Sequence, residues 1–305
     1  MTIGTQTLHP QGPEVSRLVW GLMLILESEE GRDPQRLAGM IAACLELGIT
    51  TFDHADIYGG YRVEAHFGAA LKAWGGDRSR LQLVTKCDLM LVTEGRPQHR
   101  IKHYDTSRAH ILASVDQSLS NFGTDYIDLL LIHRPDPLLD ADEVAAALES
   151  VCSAGKVRYI GVSNHTPSQL ELLQSRLNRP LVTNQIKLSV LHMEALHDGT
   201  LDQAQRLRIS PMAWSPLGGI SLFRGHSERE QRVRAALQAV AEEIGGVDIG
   251  QVALAWLLRH PTRPVPILGT GKVERLHNFA RATEITLDRQ HWFSLWEASQ
   301  GHQVP

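Results

Sequence analysis

Proton-transfer chemistry is available from four residues that each end, or closely follow, a short apolar run of the sequence: Asp53, Tyr58, Lys86 and His133. A tyrosine has a reference pKa of about 10, so it is a poor proton shuttle at neutral pH unless its phenolate is stabilised. The ammonium of Lys86 would stabilise that phenolate, and the carboxylate of Asp53 would balance the lysine in a buried site. With a hydrogen bond from His133 beside the tyrosine, the set predicts a tuned proton donor for a carbonyl oxygen.

Each of these residues taken alone has an ordinary structural explanation. An aspartate at a strand end is most often a cap or turn residue, and a lone histidine is most often a satisfied core residue. The combination gains weight if all four fall on one rim of one scaffold. It contains no nucleophile–base pair for acyl transfer and no obvious metal shell. Proton donation to a carbonyl must therefore be coupled to a reductant or to a rearrangement.

The elements that would position these residues are eight apolar runs alternating with helical patterns: 16–23, 50–55, 81–87, 126–133, 157–164, 181–186, 210–219 and 264–269. Such alternation predicts a parallel sheet in an α/β fold, and eight units allow closure into a (β/α)8 TIM barrel. Residues 2–15 predict a short N-terminal hairpin, and residues 288–299 predict an extra C-terminal helix. Because TIM-barrel active sites lie at the carboxyl ends of the strands, the four residues are expected to meet there.

Helix starts are marked by capping residues. Asp33 before Pro34 predicts a cap with proline at the first helical position. The segments Thr166–Gln169 and Thr200–Gln203 each match a capping box. Two long loops, 88–104 and 188–199, interrupt the regular pattern, and long loops inside a compact domain are usually functional.

The composition sets limits on the class of protein. The chain has 305 residues, 43% hydrophobic and 21% charged, with a formal net charge of −4 and a pI of about 6.4. We expect a single domain over residues 1–305, no nucleic-acid partner and no membrane segment. Cys44, Cys87 and Cys152 are expected to be free thiols. Without a signal-like start, the prediction is a cytoplasmic protein, and a barrel that closes its own core is expected to be a monomer.

Seven segments of the sequence resemble the motifs of the aldo-keto reductase superfamily, in that family's order and across nearly the whole chain: Gly48–Gly60, Val84–Lys86, Leu130–His133, Gly161–Asn164, Asn184–Gln185, Trp214–Leu217 and Ile267–Arg275. The chain is most similar to the bacterial branch, which includes oxidoreductases of enteric bacteria and carries His-Arg-Pro-Asp-Pro after the fourth strand. The resemblance implies an NADPH-dependent oxidoreductase that reduces an aldehyde or ketone, a small-molecule carbonyl substrate, to an alcohol. It implies Tyr58 as general acid, Asp53 and Lys86 as the pair that tunes it, and His133 as the carbonyl-orienting residue.

The resemblance also implies an NADP(H) site. The residues that match those holding the nicotinamide carboxamide are Ser163, Asn164 and Gln185, and Trp214 stands where the family usually stacks a tyrosine or phenylalanine. The match to the pyrophosphate loop comprises Ser215, Pro216, Leu217 and Gly218. The match to the 2′-phosphate segment comprises Gly269, Thr270, Gly271, Lys272 and Arg275. This last segment departs from the family pattern at Lys272, which is displaced, and at Phe279, where an asparagine is usual, so the choice of NADPH over NADH stays open.

The residues of that last segment agree with the resemblance. Backbone N–H groups of Gly269–Gly271 at a helix start would face an anion, with Lys272 and Arg275 as counter-charges. A loop after the eighth strand is also a common phosphate site in barrels.

The substrate is the least determined part of the prediction. The expected apolar walls are Trp20, Met23, Ile57, Leu89 and Tyr104, each of which has ordinary packing as its alternative. The 88–104 loop carries the basic residues Arg96, His99, Arg100, Lys102 and His103, which are more typical of a solvated loop than of a site for an anionic substrate. Two other functions also stay open: a nucleotide-binding, redox-sensing module resembling potassium-channel β subunits, and a cofactor-independent lyase or isomerase.

Overall fold

A computed structural model describes residues 2–305, and its centre is a closed barrel of eight parallel strands. An antiparallel hairpin of β1 (Thr5–Thr7) and β2 (Glu14–Ser16) precedes the barrel. The barrel strands are β3 (Val19–Gly21), β4 (Thr51–Asp53), β5 (Gln82–Cys87), β8 (Ile127–Ile132), β9 (Val157–Ser163), β10 (Leu181–Lys187), β11 (Met212–Trp214) and β12 (Val265–Leu268). Between β5 and β8, a two-stranded ribbon is formed by β6 (Leu89–Met90) and β7 (His103–Tyr104).

The strands follow one another around the ring in chain order, and β12 pairs with β3 to close it. The longer helices are α1 (Pro34–Glu46), α3 (Val63–Trp74), α4 (Arg108–Phe122), α5 (Ala141–Ser153), α9 (Glu228–Glu243), α10 (Ile249–Leu258) and α12 (Arg289–Gln300). The shorter ones are α2 (Tyr58–Tyr61), α6 (Pro167–Gln174), α7 (Thr200–Leu207), α8 (Ser221–Arg224) and α11 (Val273–Ala280). The (β/α)8 barrel, the N-terminal hairpin and the extra C-terminal helix are confirmed. No helix within residues 2–305 is long and apolar enough to cross a membrane.

Side-chain alternation along the strands divides the core into layers, because successive residues of a strand point to opposite faces. Val19, Val84 and Met212 belong to the cluster inside the barrel, where Leu8 and Val15 of the hairpin segment join them. Their neighbours on the outer faces pack against the helices in three larger apolar clusters. The hairpin therefore covers the amino end of the barrel and leaves the carboxyl end for the site.

Two local predictions are confirmed and two are wrong. Asp33 caps α1 by accepting the Gln35 N–H, and Thr166 with Gln169 forms a reciprocal capping box. The box predicted at Thr200 is absent, because Gly199 is the N-cap with a φ of +86° and Thr200 is already helical. Likewise, the 88–104 loop is not without secondary structure, since its two ends pair as β6 and β7.

Candidate active site

Asp53 and Lys86 meet at the carboxyl end of the barrel as a buried ion pair. Lys86 Nζ lies 2.8 Å from Asp53 Oδ2 and 2.9 Å from Oδ1, and both residues are nearly inaccessible, at 1% and 2% exposure. The pairing follows from the sheet, because β4 and β5 are neighbours and Asp53 lies opposite Val84 in register. Lys86 is two residues beyond Val84 and so points into the same barrel interior.

Tyr58 is brought to this pair by a tight turn. Its Oη lies 3.2 Å from Lys86 Nζ, which also donates to the carbonyl of His54 at 2.6 Å. The turn continues through Gly59 and Gly60, with φ values of +58° and +67°. A Cβ on Gly59 would lie 2.9 Å from Leu26, so glycine fits the turn both by conformation and by space.

His133 completes the group from the end of β8. Its backbone N–H donates to the carbonyl of Cys87, and its ring stands edge-on to the Tyr58 ring with 6.2 Å between centroids. The side chain is buried, and its Nδ1 has no hydrogen-bond partner within residues 2–305. Burial, helped by the positive charges of Lys86, Arg134 and Lys102, lowers the pKa of His133 well below its ordinary value. The imidazole is therefore neutral at physiological pH.

The charges in this group favour an ammonium at Lys86 and a neutral phenol at Tyr58. Burial alone would lower the pKa of Lys86, but the effects of Asp53 and Tyr58 are larger together, so the lysine pKa is raised. Burial raises the pKa of Tyr58 above its ordinary value, against the opposing effect of Lys86 and with a contribution from Asp53. Lys86 is where the sequence analysis expected it, yet the net shift of the Tyr58 pKa is upward because desolvation is larger. Tyr58 is thus a neutral phenol beside the Lys86 ammonium.

A chain of polar contacts runs from this group around the rim. Gln185 Nε2 donates to Asp53 Oδ1 at 2.7 Å, and Ser163 Oγ donates to the backbone carbonyl of Gln185 at 2.9 Å. Asn164 Nδ2 donates to Ser163 Oγ, and its Oδ1 accepts from Trp214 Nε1 at 2.9 Å. The structure thus brings the four predicted carboxamide-side residues together and links them to Asp53.

Backbone conformation at two of these positions is unusual. Asn164 has a φ of +60° and Ser215 a φ of +51°, in the left-handed region that non-glycine residues adopt at some cost. Such conformations concentrate at functional sites. Both residues come directly after the ends of barrel strands.

The two predicted phosphate segments lie after adjacent strands. Ser215, Pro216, Leu217 and Gly218 come after β11, and Gly269–Gly271 connect β12 to α11, whose N-cap is Lys272. A Cβ on Gly271 would lie 2.6 Å from Ser28, so the backbone is closely packed there. Trp20 Nε1 donates a hydrogen bond to the carbonyl of Thr270 at 2.7 Å. Lys272 and Arg275 are exposed and enter none of the ion pairs within residues 2–305. This segment, called the phosphate cradle below, thus has two cations without ion pairs at the start of a helix, a position that favours anions.

The predicted substrate walls divide into accessible and buried residues. Met23 and Tyr104 are 53% and 37% exposed, and Ile57 is half-buried one residue before Tyr58. The prediction is wrong for Trp20, which is fully buried and packs on Phe52 between the barrel and the helices. Leu89 is only 4% exposed, because it is held in the ribbon opposite Tyr104.

Glu64 is a buried charge near the site that the sequence analysis missed. Its carboxylate accepts from Thr85 Oγ1 at 2.6 Å, Ser118 Oγ at 2.9 Å and Asn121 Nδ2 at 3.0 Å. Burial raises its pKa, while these hydrogen bonds and the charge of Lys86 oppose that shift. Glu64 lies three residues before Phe67 and seven before Leu71, so it shares their inward-facing side of the helix. A carboxylate among the apolar positions of a helix is the sequence signal that would have identified it.

The sequence model described as "Aldo/keto reductase family" matches residues 17–299, and the chain belongs to this family. It is an oxidoreductase of that family, built on the expected barrel.

Individual relatives support the same assignment. The chain is 49% identical over 299 residues to "Oxidoreductase YdhF" of Escherichia coli (strain K12), with 98% of each chain covered. It is 48% identical over 291 residues to a protein of Agrobacterium fabrum named 6-dehydroglucose reductase, covering 95% of this chain and 96% of the relative. The crystal structure of the thermostable aldo-keto reductase Tm1743 with the inhibitor epalrestat superposes with a TM-score of 0.82 at 30% identity, covering 97% of this chain and 100% of that one.

Proposed function

We propose that this protein is an NADPH-dependent reductase that converts an aldehyde or ketone to an alcohol, with Tyr58 as the general acid. The observation that carries the proposal is the 3.2 Å contact between Tyr58 Oη and Lys86 Nζ, a lysine that Asp53 holds in place. This arrangement supplies a proton donor, and reduction of a carbonyl needs an electron source as well.

NADP(H), when bound, would supply that electron source as a hydride delivered to the carbonyl carbon. The residues proposed to hold its carboxamide are Ser163, Asn164 and Gln185, with Trp214 packing on the nicotinamide ring. The residues proposed to bind its phosphates are Ser215, Pro216, Leu217, Gly218, Gly269, Thr270, Gly271, Lys272 and Arg275. Their support is the rim position of the first set and the cradle formed by the second.

The proton step depends on the charges of the four-residue group. The hydroxyl of Tyr58 donates its proton to the carbonyl oxygen while a ring N–H of neutral His133 donates a hydrogen bond to the same oxygen. The phenolate left on Tyr58 then lies beside the Lys86 ammonium, which stabilises it at the moment it forms. Asp53 keeps Lys86 charged and fixed, and Gln185 orients the Asp53 carboxylate.

The direct test is NADPH consumption by the purified protein over a panel of aldehydes and ketones. The panel should include 6-dehydroglucose, because a close relative carries the name 6-dehydroglucose reductase. We expect saturable, carbonyl-dependent oxidation of NADPH with the alcohol as product. Absence of both NADPH binding and carbonyl reduction would contradict the proposal and favour the cofactor-independent alternative. Tight nucleotide binding with very slow turnover would favour the redox-sensing alternative.

The pH dependence of carbonyl reduction should show a broad plateau. Tyr58 donates only when protonated, and its raised pKa keeps it protonated beyond its ordinary value of about 10. His133 has a lowered pKa, so it stays neutral from about pH 6.5 upward. We therefore expect kcat for reduction to change little between about pH 6.5 and about pH 9. An alkaline loss of kcat centred near neutrality, measured at saturating NADPH, would argue against Tyr58 as the acid.

Arg275→Glu should weaken the binding of NADPH more than the binding of NADH. The guanidinium is exposed at the start of α11 and has no carboxylate partner within residues 2–305. A charged hydrogen bond to a phosphate is worth about 1.5–3 kcal/mol. We expect the Kd for NADPH to rise by about 10-fold or more, with little change for NADH. Arg80→Glu, the same charge change on an exposed residue before β5, is the control. Equal losses for both nucleotides would remove Arg275 from the 2′-phosphate site.

A further inference from the structure

We propose that the carbonyl substrate carries an anionic group, a carboxylate or a phosphate, and that Arg134 and Lys187 bind it. This inference rests on the proposed reductase function and names its substrate class.

Arg134 and Lys187 flank one side chain of the rim, the indole of Trp214. Arg134 comes directly after His133, and its backbone N–H donates to Asp88 Oδ2 at 2.9 Å, which fixes the start of its side chain beside the site. Its Cζ lies 5.7 Å from the Trp214 ring centroid. Lys187 ends β10 opposite Trp214 in register, and its Nζ lies 5.5 Å from the same centroid. Two half-buried cations therefore share one edge of the site.

These cations lack carboxylate partners. No ion pair within residues 2–305 includes Arg134 or Lys187. The group formed by Asp53, Tyr58, Lys86 and His133 provides no carboxylate for these cations, because Asp53 is already paired with Lys86. The indole attracts a cation through its ring face but does not cancel its charge. Within residues 2–305, the Asp88 carboxylate contacts Arg134 through the backbone N–H and forms no ion pair with its guanidinium.

The position of Arg134 separates it from the proposed phosphate cradle of the cofactor. In the ring order, β8 lies diametrically opposite β12, the strand that leads into Gly269–Arg275. Arg134 instead comes directly after His133 at the end of β8, the strand that pairs with β5 and its Lys86. An anion on the substrate would thus meet these cations while its carbonyl lies at Tyr58.

The guanidinium of Arg134 gives this edge its chemical preference. Its planar fork matches carboxylate and phosphate oxygens in pairs, whereas Lys187 acts as a point charge. The class of substrate is therefore an aldehyde or ketone with an oxyanion a few bonds from the carbonyl. A neutral carbonyl of the same size would leave both cations without a partner.

The test compares kcat/KM for matched anionic and neutral carbonyls with NADPH as reductant: 4-formylbenzoate with 4-formylbenzamide, and glyceraldehyde 3-phosphate with glyceraldehyde. For at least one pair we expect the anion to be preferred by about 10-fold or more, mainly through KM. Arg134→Gln should reduce that preference by about 10-fold, and Lys187→Gln by less. Arg134→Lys should keep part of it. Arg80→Gln, at the other end of the barrel, should leave it unchanged, and the Kd for NADPH should be the same in wild type and Arg134→Gln.

The salt dependence gives a second readout that misfolding would not produce. The anion preference should shrink as ionic strength rises from about 0.05 M to about 0.5 M, whereas kcat/KM for the neutral partners should not. Equal kcat/KM values within both pairs, or a preference that survives Arg134→Gln, would overturn the inference while leaving the reductase function intact. Loss of NADPH affinity in Arg134→Gln would overturn it too, by assigning this arginine to the cofactor. If no carbonyl of either charge is reduced, both proposals fail together.

Discussion

Tyr58→Phe should lower kcat for carbonyl reduction by about 10²–10⁴-fold, the range that a positioned general acid contributes. The substitution removes only the hydroxyl that lies 3.2 Å from Lys86 Nζ. The ring packing against His133 remains, so the fold and the Kd for NADPH should change little. Stopped-flow NADPH oxidation at saturating substrate measures the loss in the chemical step.

Tyr61→Phe is the matched control for this prediction. It removes a hydroxyl three residues further along the same turn, which accepts the Leu91 N–H at 2.8 Å and is not among the hydrogen-bond partners of Lys86 within residues 2–305. We expect it to keep most of the activity. If Tyr58→Phe reduced the carbonyl as fast as Tyr61→Phe, Tyr58 would not be the acid.

Lys86→Met should be the most damaging substitution for stability as well as for catalysis. It leaves the Asp53 carboxylate buried at 2% exposure without its counter-charge, and among the side chains of residues 2–305 only Gln185 still donates to it. Breaking a buried ion pair on one side costs about 3–5 kcal/mol of unfolding free energy. Urea denaturation of the variant gives this loss directly. Activity should fall at least as far as in Tyr58→Phe, because the phenolate formed on Tyr58 loses the cation beside it.

A double-mutant cycle separates the two roles of Lys86. Asp53→Asn with Lys86→Met removes both charges, so much of the stability lost in Lys86→Met should return, because no unpaired charge stays buried. Activity should not return, since the ammonium is still missing. Additive stability losses in the double variant would contradict the coupling of this pair, and recovered activity would show that the ammonium is not needed.

The barrel could be predicted from the sequence because buried parallel strands are nearly continuous apolar runs. The run ending at His133 predicts β8 closely, and the observed strand is Ile127–Ile132. The 210–219 segment predicts a strand and its turn, and the pairing with β10 and β12 limits the strand to Met212–Trp214. The residues after Trp214 form an irregular turn in which Ser215 and Gly218 have positive φ values. Apolar character marks where a strand lies but not where its hydrogen bonds stop.

The direction of individual side chains was harder to predict than the elements that carry them. The position of Lys86 could be predicted from its place at a strand end. Trp20 lies on the outer face of β3 because its neighbour Val19 points into the barrel interior. Successive side chains of a strand point to opposite faces, so a shift of one residue moves a side chain from the interior to the helix-covered outer face. Contacts such as that from Gln185 to Asp53, 132 residues apart in sequence, depend on ring closure and leave no local signal.

The most direct test of the central claim is a single-turnover reaction of the enzyme with a reactive aldehyde and NADPH that carries deuterium at both C4 positions of the nicotinamide. The proposed mechanism predicts one deuterium on the carbinol carbon of the product and a hydroxyl proton from solvent by way of Tyr58. It also predicts that the rate falls by about 10²–10⁴-fold in Tyr58→Phe while the label still reaches carbon. A product without deuterium, or an undiminished rate in Tyr58→Phe, would contradict hydride transfer assisted by this tyrosine.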